Sequence, residues 1–408
     1  MKIAFFSDCY LDLTGGIVTA INLEKTELER RGHTVYVFSS SYPHSEEEIK
    51  KLAREHIYPV PSCKVFGRKL TPIARRPGVV EKWLRKNHPE LQGFDIFYVH
   101  YEAGCSIAGL RLAKAFKIPS IQVMHGREDM GEATLIPFGL RTMVAVLLNW
   151  FHSWYLPHSV KVKRDNYLAT TIAKAKMWTL MVNHANFADL VVTPSEHFRK
   201  KLIHYGVKRQ IIALHHGLSD DSFKKHPNPK SLHSGETLEI IWHSRVSSEK
   251  RIIPFLQALA IVKNGYHLSV YGDGVDFNKA RRFAKKHHLN VTFFGNTNFQ
   301  TIKKNLAKSH LDVLVSYNYD TFGMTLIEAE ADAVPVFLVD PDLTEVLVSG
   351  EYILASGPEP QQMADAITKI IEKPEIIEKI SQKMLSHYGE STTSRKIGEF
   401  EKIAKTLL

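Results

Sequence analysis

The sequence has little cysteine: three residues in 408, Cys9, Cys63 and Cys105. They are odd in number, far apart and without metal-ligand spacing, which argues against a disulfide framework or a zinc knuckle. Reduced thiols in a cytoplasmic protein are the expectation. No apolar run approaches the roughly 20 residues that a membrane-spanning helix needs. The opening MKIAFFSD has too short an apolar run for a signal-peptide core, and polar and acidic residues follow it. No short repeat or low-complexity tract is present. There is no aromatic–basic RNA motif or helix-turn-helix pattern, so nucleic acid is not an expected partner. The formal net charge of +10 nevertheless draws polyanions, nucleic acid or lipid headgroups, unless the excess is spread evenly and serves solubility alone.

A chain of this length is too long for one hydrophobic core, and two domains are expected. Its 44% hydrophobic and 24% charged residues are ordinary for a globular protein. Apolar, β-branched segments at Lys2–Ser7, His33–Ser39, Phe94–His100, Ser120–Met124, Leu190–Thr193 and Ile211–Leu214 read as strands. Ile17–Arg31 and Ile107–Phe116 read as helices between them. Such alternation predicts a parallel sheet with helices on both faces. Asp220–Glu236, polar and with two prolines, reads as an interdomain linker. The pattern then restarts, with strands at Leu238–His243, Leu268–Tyr271, Val291–Phe294, Val313–Ser316 and Val336–Leu338. The expected organisation is therefore α/β, two doubly wound Rossmann-like domains over 1–217 and 218–390 that face across a cleft. A helical segment, 391–408, crosses back to the first domain. Ligands of such sheets bind at the carboxyl ends of the strands.

Four constellations stand at those ends. Gly15-Gly16 after the first strand suits either a phosphate at a helix N-terminus or an ordinary tight turn. In Ser244-Arg245-Val-Ser-Ser-Glu249-Lys250, two cations from one loop are placed to neutralise a departing diphosphate. Taken alone, this is equally a solvated basic turn. In Asp320-Thr-Phe322-Gly323-Met324-Thr325-Leu-Ile-Glu328, a loop runs into a helix whose first amides can cap a phosphate. Its two carboxylates can accept hydroxyls from a ribose or hexose. His125, in Met124-His125-Gly126, follows a strand. It is either a satisfied core histidine or a residue that holds a sugar hydroxyl.

Residues 136–178 differ in character. An apolar run, Met143–Leu156, carries Trp150, Phe151, Trp154 and Tyr155. Lys161, Lys163 and Arg164 follow, then Lys174, Lys176 and Trp178. Rings and cations in this order suit a membrane–water interface. A core helix with a basic solvated face would look similar.

Together these motifs resemble glycosyltransferase family 4, over nearly the whole chain. The family pattern is met by Gly15 and Gly16, by His125, by the Arg245/Lys250 spacing and by the turn Gly272-Asp273-Gly274. It is also met by a final acidic element in which Asp320 replaces the usual first Glu and Ala333 replaces the usual Gly. The resemblance implies the GT-B fold and transfer of a hexose, from a UDP-hexose in the favoured case, with retention of configuration. It implies no metal and no other cofactor. It assigns Glu328 to the donor ribose, Asp320 to the sugar hydroxyls, the backbone after Phe322 to the diphosphate and Phe294-Gly295 to the base.

Two stretches, VHYEAGCSIAGLRLAKAFKIPSIQVMHGREDM and ADLVVTPSEHFRKKLIHYGVKRQIIALHHGL, look like bacterial diacylglycerol glucosyltransferases. That likeness implies a lipid acceptor, bound by the 136–178 segment at the anionic inner face of the plasma membrane, where the protein would sit peripherally. The rival expectations are transfer to a cell-wall or polysaccharide precursor, a nucleotide-sugar 2-epimerase or a phosphorylase on the same fold, and a non-catalytic lipid- or nucleotide-binding relative.

Overall fold

A computed structural model describes residues 1–8, 15–42, 44–63, 73–127, 129, 136 and 138–408. The chain divides into two compact units, Met1–His216 with Thr393–Leu408, and Gly217–Thr392.

The first unit is built on seven parallel strands. In chain order they are β1 (Lys2–Ser7), β2 (Thr34–Ser40) and β3 (Ile57–Val60), then, beyond a short antiparallel pair β4 (Ser62–Cys63) and β5 (Ile73–Ala74), β6 (Ile96–His100), β7 (Ser120–Val123), β8 (Leu190–Thr193) and β9 (Ile211–Ala213). Their order in the sheet is β3-β2-β1-β6-β7-β8-β9. β1, β6, β7 and β8 are buried almost throughout. Helices cover both faces, so β1, β6 and β8 read as mainly apolar runs, and β7 buries its polar Ser120 and Gln122 as well. One face packs Phe6, Phe38, Phe97 and Leu112. The other packs Phe5, Ile21, Tyr98 and Val123, and it is closed by Ile397 and Phe400 of the Thr393–Lys405 helix.

The second unit holds six parallel strands: β10 (Leu238–His243), β11 (Tyr266–Tyr271), β12 (Val291–Gly295), β13 (Leu311–Leu314), β14 (Val336–Leu338) and β15 (Tyr352–Leu354). Their order is β12-β11-β10-β13-β14-β15. Both sheets reverse direction of growth once, between β1 and β6 and between β10 and β13. Loops leaving the carboxyl ends of the strands at such a reversal diverge and leave a crevice.

The polar stretch Asp220–Glu236 is not a linker. Leu232 is part of the second unit's core, the Lys230 amide donates to Ser381 Oγ and its ammonium to the Ala307 carbonyl. The stretch is polar because most of it runs over the surface of that unit. At the unit's two ends Leu218 and Thr392 pair in parallel.

Candidate functional site

In the second unit the loop after β10 carries Arg245 and Lys250, and the loop after the neighbouring strand β13 carries Asp320 and Gly323. The sheet order therefore sets these residues beside one another at the reversal point. Lys250 Nζ donates to both Asp320 oxygens, at 2.7 and 2.8 Å, and Ser316 Oγ also donates to Asp320. The ammonium lies 5.5 Å from the Tyr319 ring centroid. Both partners are mostly shielded, with side chains 13% and 14% exposed. Arg245 is different: its side chain is 58% exposed, and its Nε is 3.7 Å from Glu249 Oε1. One cation is thus held in place and the other is open to solvent.

The Arg245 loop is fixed from beneath by the glycine turn after β11. A side chain on Gly272 would sit 2.2 Å from the Ser244 carbonyl oxygen, and one on Gly274 2.3 Å from that of Val246. The Val246 amide donates to the Asp273 carbonyl, and the Asp276 amide to the Val246 carbonyl. Only glycine permits this approach of two backbones. At the end of β12 the register slips, so that Phe294 bulges between the partners of Val270 and Tyr271. Its ring stacks on Tyr271, centroids 4.5 Å apart, and stays half exposed.

Gly323, at φ 80°, precedes the helix Met324–Ala331. The first-turn amides there have no partner within the helix. Thr325 Oγ1 is buried and meets no hydrogen-bond partner among the described residues. Phe322 enters the site by its backbone alone, because its ring is 3% exposed in the core beneath. Glu328, one turn into the helix, faces His243 at the end of β10: His243 Nδ1 lies 3.4 Å from Glu328, and Nε2 lies 3.1 Å from Asp312. Burial alone would lower the proton affinity of His243, but Asp312 and then Glu328 raise its pKa to about 10.

In the first unit His125 lies just past β7 and is 7% exposed. It is hydrogen-bonded to His100 (2.8 Å) at the end of β6, and its ring stacks 5.7 Å from that of His216. Lys396 Nζ, from the Thr393–Lys405 helix, is 2.9 Å from His216 Nδ1 and donates to buried Glu24. Burial, with the Lys396 charge, lowers the His125 pKa to about 3. It is a neutral imidazole at ordinary pH. Gly16 opens the helix Gly16–Arg30, but residues 9–14 of its loop lie outside the described residues.

The helix Arg141–Ser153 buries Asn149 and His152 against the helix Ile172–Phe187. There Asn149 donates to the Lys176 carbonyl, and His152 is bonded to His184. Its other face leaves Leu140, Met143, Leu147, Trp150 and Trp154 exposed at helical spacing, and the two indoles touch edge to face. Lys161, Lys163 and Arg164 follow, all exposed. Trp178, expected with them, is instead fully buried. It packs on Tyr205 in the core behind β8, because its helix is covered on nearly every side. Among the described residues no helix is long and apolar enough to cross a membrane.

His100, His216, Lys396 and Glu24 around His125, and His243 and Asp312 beside Glu328, are not marked in the sequence by any motif. His100 and His243 do carry a positional signal, since each is the last residue of a strand at a sheet reversal. Lys396 and Glu24 carry none.

Two parallel, doubly wound sheets of seven and six strands, each in a unit of its own, are the arrangement of the GT-B fold. The chain belongs to glycosyltransferase family 4: the model described as Glycosyltransferase Family 4 matches residues 14–222, and that of Glycosyl transferases group 1 matches 224–390. Among characterised relatives, the chain is 23% identical to the alpha-monoglucosyldiacylglycerol synthase of Streptococcus pneumoniae, over 98% of this chain and 85% of that one. It is 30% identical to the enzyme of the same name from Acholeplasma laidlawii over 126 residues, covering 31% of this chain and 30% of that one. Among solved structures, HepE from Anabaena in complex with UDP superposes with a TM-score of 0.68 at 17% identity, covering each chain completely.

Proposed function

We propose that this glycosyltransferase moves a hexose, glucose in the favoured case, from a UDP-sugar to a diacylglycerol-type lipid at an anionic membrane surface, with retention of configuration and without a metal ion. The observation that carries the donor half is the Lys250–Asp320 pair beside the amide end of the Met324–Ala331 helix. A diphosphate that gains charge as the sugar leaves needs cations and amides fixed before the reaction starts. Lys250 is already oriented, and Arg245 is free to close on the phosphates bidentately. Asp320 then exchanges part of its contact with Lys250 for sugar hydroxyls, and the half-exposed Phe294 ring offers a face to the base. His125, being neutral, is suited to act as a hydrogen-bond partner and not as an acid. The acceptor hydroxyl attacks from the face that the diphosphate leaves, and the β-phosphate oxygen takes its proton.

The lipid half is supported by the exposed apolar stripe from Leu140 to Trp154 with the cations after it. It is also supported by the names of the relatives, whose α-linked product from an α-linked donor is retention. A peripheral location at the inner face of the plasma membrane follows from the same reading.

The test is a donor screen with UDP-glucose, UDP-galactose, UDP-N-acetylglucosamine and GDP-mannose, in EDTA, with anionic vesicles containing diacylglycerol. Glycolipid and released nucleotide are both measured. UDP-glucose is expected to give α-glucosyl diacylglycerol. R245A/K250A is expected to lose at least about 100-fold in turnover while staying folded, the scale of removing a fixed charge stabiliser. W150S/W154S is expected to release the protein from vesicles while leaving UDP binding intact. Unchanged turnover in R245A/K250A would remove the leaving-group argument.

A further inference from the structure

His243 is unusual for the end of a strand at a nucleotide site. Its side chain is 3% exposed, and each ring nitrogen is set against a different carboxylate. Asp312 is fully buried on the adjacent strand β13, and its Oδ1 also accepts the Val313 amide at 2.8 Å. Glu328 is 16% exposed and stands on the Met324–Ala331 helix. A carboxylate within 3.1 Å of one ring nitrogen and another within 3.4 Å of the other favour the charged imidazolium, the one form with a proton on each side. One positive charge is therefore shared between two acids that would otherwise repel each other in a shielded place.

We propose that His243 is a positioning residue for nucleotide recognition: by holding one oxygen of Glu328, it fixes the other as an ionised, acceptor-only group for the ribose hydroxyls of the donor. This rests on the donor reading above and deepens it. Buried Asp312 anchors the imidazole from behind, so the orientation of Glu328 is set by the sheet and not by the helix alone. Discrimination follows from the chemistry. A fixed carboxylate gains most from a sugar carrying both the 2′- and 3′-hydroxyl and loses a charge-assisted hydrogen bond when one is missing.

Calorimetry with UDP and with 2′-deoxy-UDP reads this directly. The intact protein is expected to prefer UDP by about tenfold or more, the worth of one hydrogen bond to a charged group. H243Q is expected to bring that ratio to within about threefold, raising KM for the donor more than it lowers kcat. E328Q should collapse the ratio equally, and H243Q/E328Q should do no further harm, because both substitutions remove one device. The double variant also leaves one fewer carboxylate without its cation, so it keeps the test open if H243Q alone folds poorly. Separately, the imidazole of His243 should show both ring nitrogens protonated by NMR at pH 8. An unaltered UDP preference in folded H243Q, additive losses in the double variant, or a neutral ring at pH 8 would each overturn the proposal. Failure of the intact protein to bind UDP at all would instead sink the donor reading.

Discussion

At the residue scale, Ala333 stands where the family pattern has glycine. It adopts φ 50° just past the Met324–Ala331 helix, where its amide closes onto the Glu330 carbonyl and that of Val334 onto Ala329. A left-handed residue at a helix end favours glycine, and an L-residue there costs about 1–2 kcal/mol. The methyl group is fully buried against Ile380 and Met384, which returns about 0.8 kcal/mol. The two nearly cancel, which explains how the departure is tolerated. We expect Ala333→Gly to change unfolding free energy by less than about 1 kcal/mol in urea titration. Ala333→Val, a branched side chain in the same conformation, should cost about 2 kcal/mol or more. A large gain from Ala333→Gly would show that the methyl packing contributes nothing. The other departure, Asp320 for Glu, matches its setting: Lys250 and Ser316 both bond it directly.

At the element scale, the Thr393–Lys405 helix completes the first unit with Phe400 and Ile397 and with the buried Lys396–Glu24 pair. Breaking one side of a buried pair strands the other charge and costs about 3–5 kcal/mol, whereas replacing both with neutral side chains of similar size is close to neutral. Lys396→Met should therefore destabilise strongly, and Lys396→Met with Glu24→Gln should recover most of the loss, read as urea midpoints. No recovery would mean that Lys396 acts through packing alone.

Elements of this kind also divide what could be read in the sequence from what could not. β1, β8, β10 and β14 are read to the residue, because strands covered on both faces carry dense apolar runs, whereas β13, expected at Val313–Ser316, lies at Leu311–Leu314. β3 and β15 were not foreseen. They are edge strands of four and three residues respectively, the first interrupted by Pro59, and so carry too little pattern. The grouping of Arg245 and Lys250 with Asp320 and Gly323 was legible because these residues lie in two compact motifs. The surroundings of His125 were not, because Glu24, His100, His216 and Lys396 meet across as many as 372 positions and only the folded sheet joins them. Trp178 was misassigned because an aromatic residue near cations has the same local signature whether it faces lipid or core.

At the scale of the whole molecule, the two units answer acid in opposite directions. In the first, burial lowers the pKa of His100, His125, His152, His184 and His216, to about 3 for His125 and His184. The unfolded chain gains protons below pH 6.5 that the folded unit refuses. Each such histidine removes about 1.4 kcal/mol of stability per pH unit as pH falls below about 6.5. In the second unit, burial raises Glu330 to about 7. A raised carboxylate contributes stability that is present below its unfolded pKa and is lost as pH climbs through about 7, so acidification favours this unit. His243 contributes fully below pH 6.5 and loses its contribution only as pH rises toward about 10; the lowered His310 opposes in part. Hydrogen exchange followed by peptide at pH 7.5 and 5.5 should show protection falling in 1–216 and holding in 217–392. The reverse order would refute the assignment of the buried histidines as neutral.

The return of the chain to the first unit at Thr393 also sets an order of birth. The segment that carries Gly217–Thr392 is contiguous and can fold as soon as it leaves the ribosome. The earlier-made unit has to wait for its closing helix, with Glu24 lacking its cation and the apolar seat of Phe400 open to water. The unit translated first is thus the one finished last, and any stall just before Thr393 leaves a nascent chain whose second unit is mature and whose first, histidine-bearing unit is a client for chaperones.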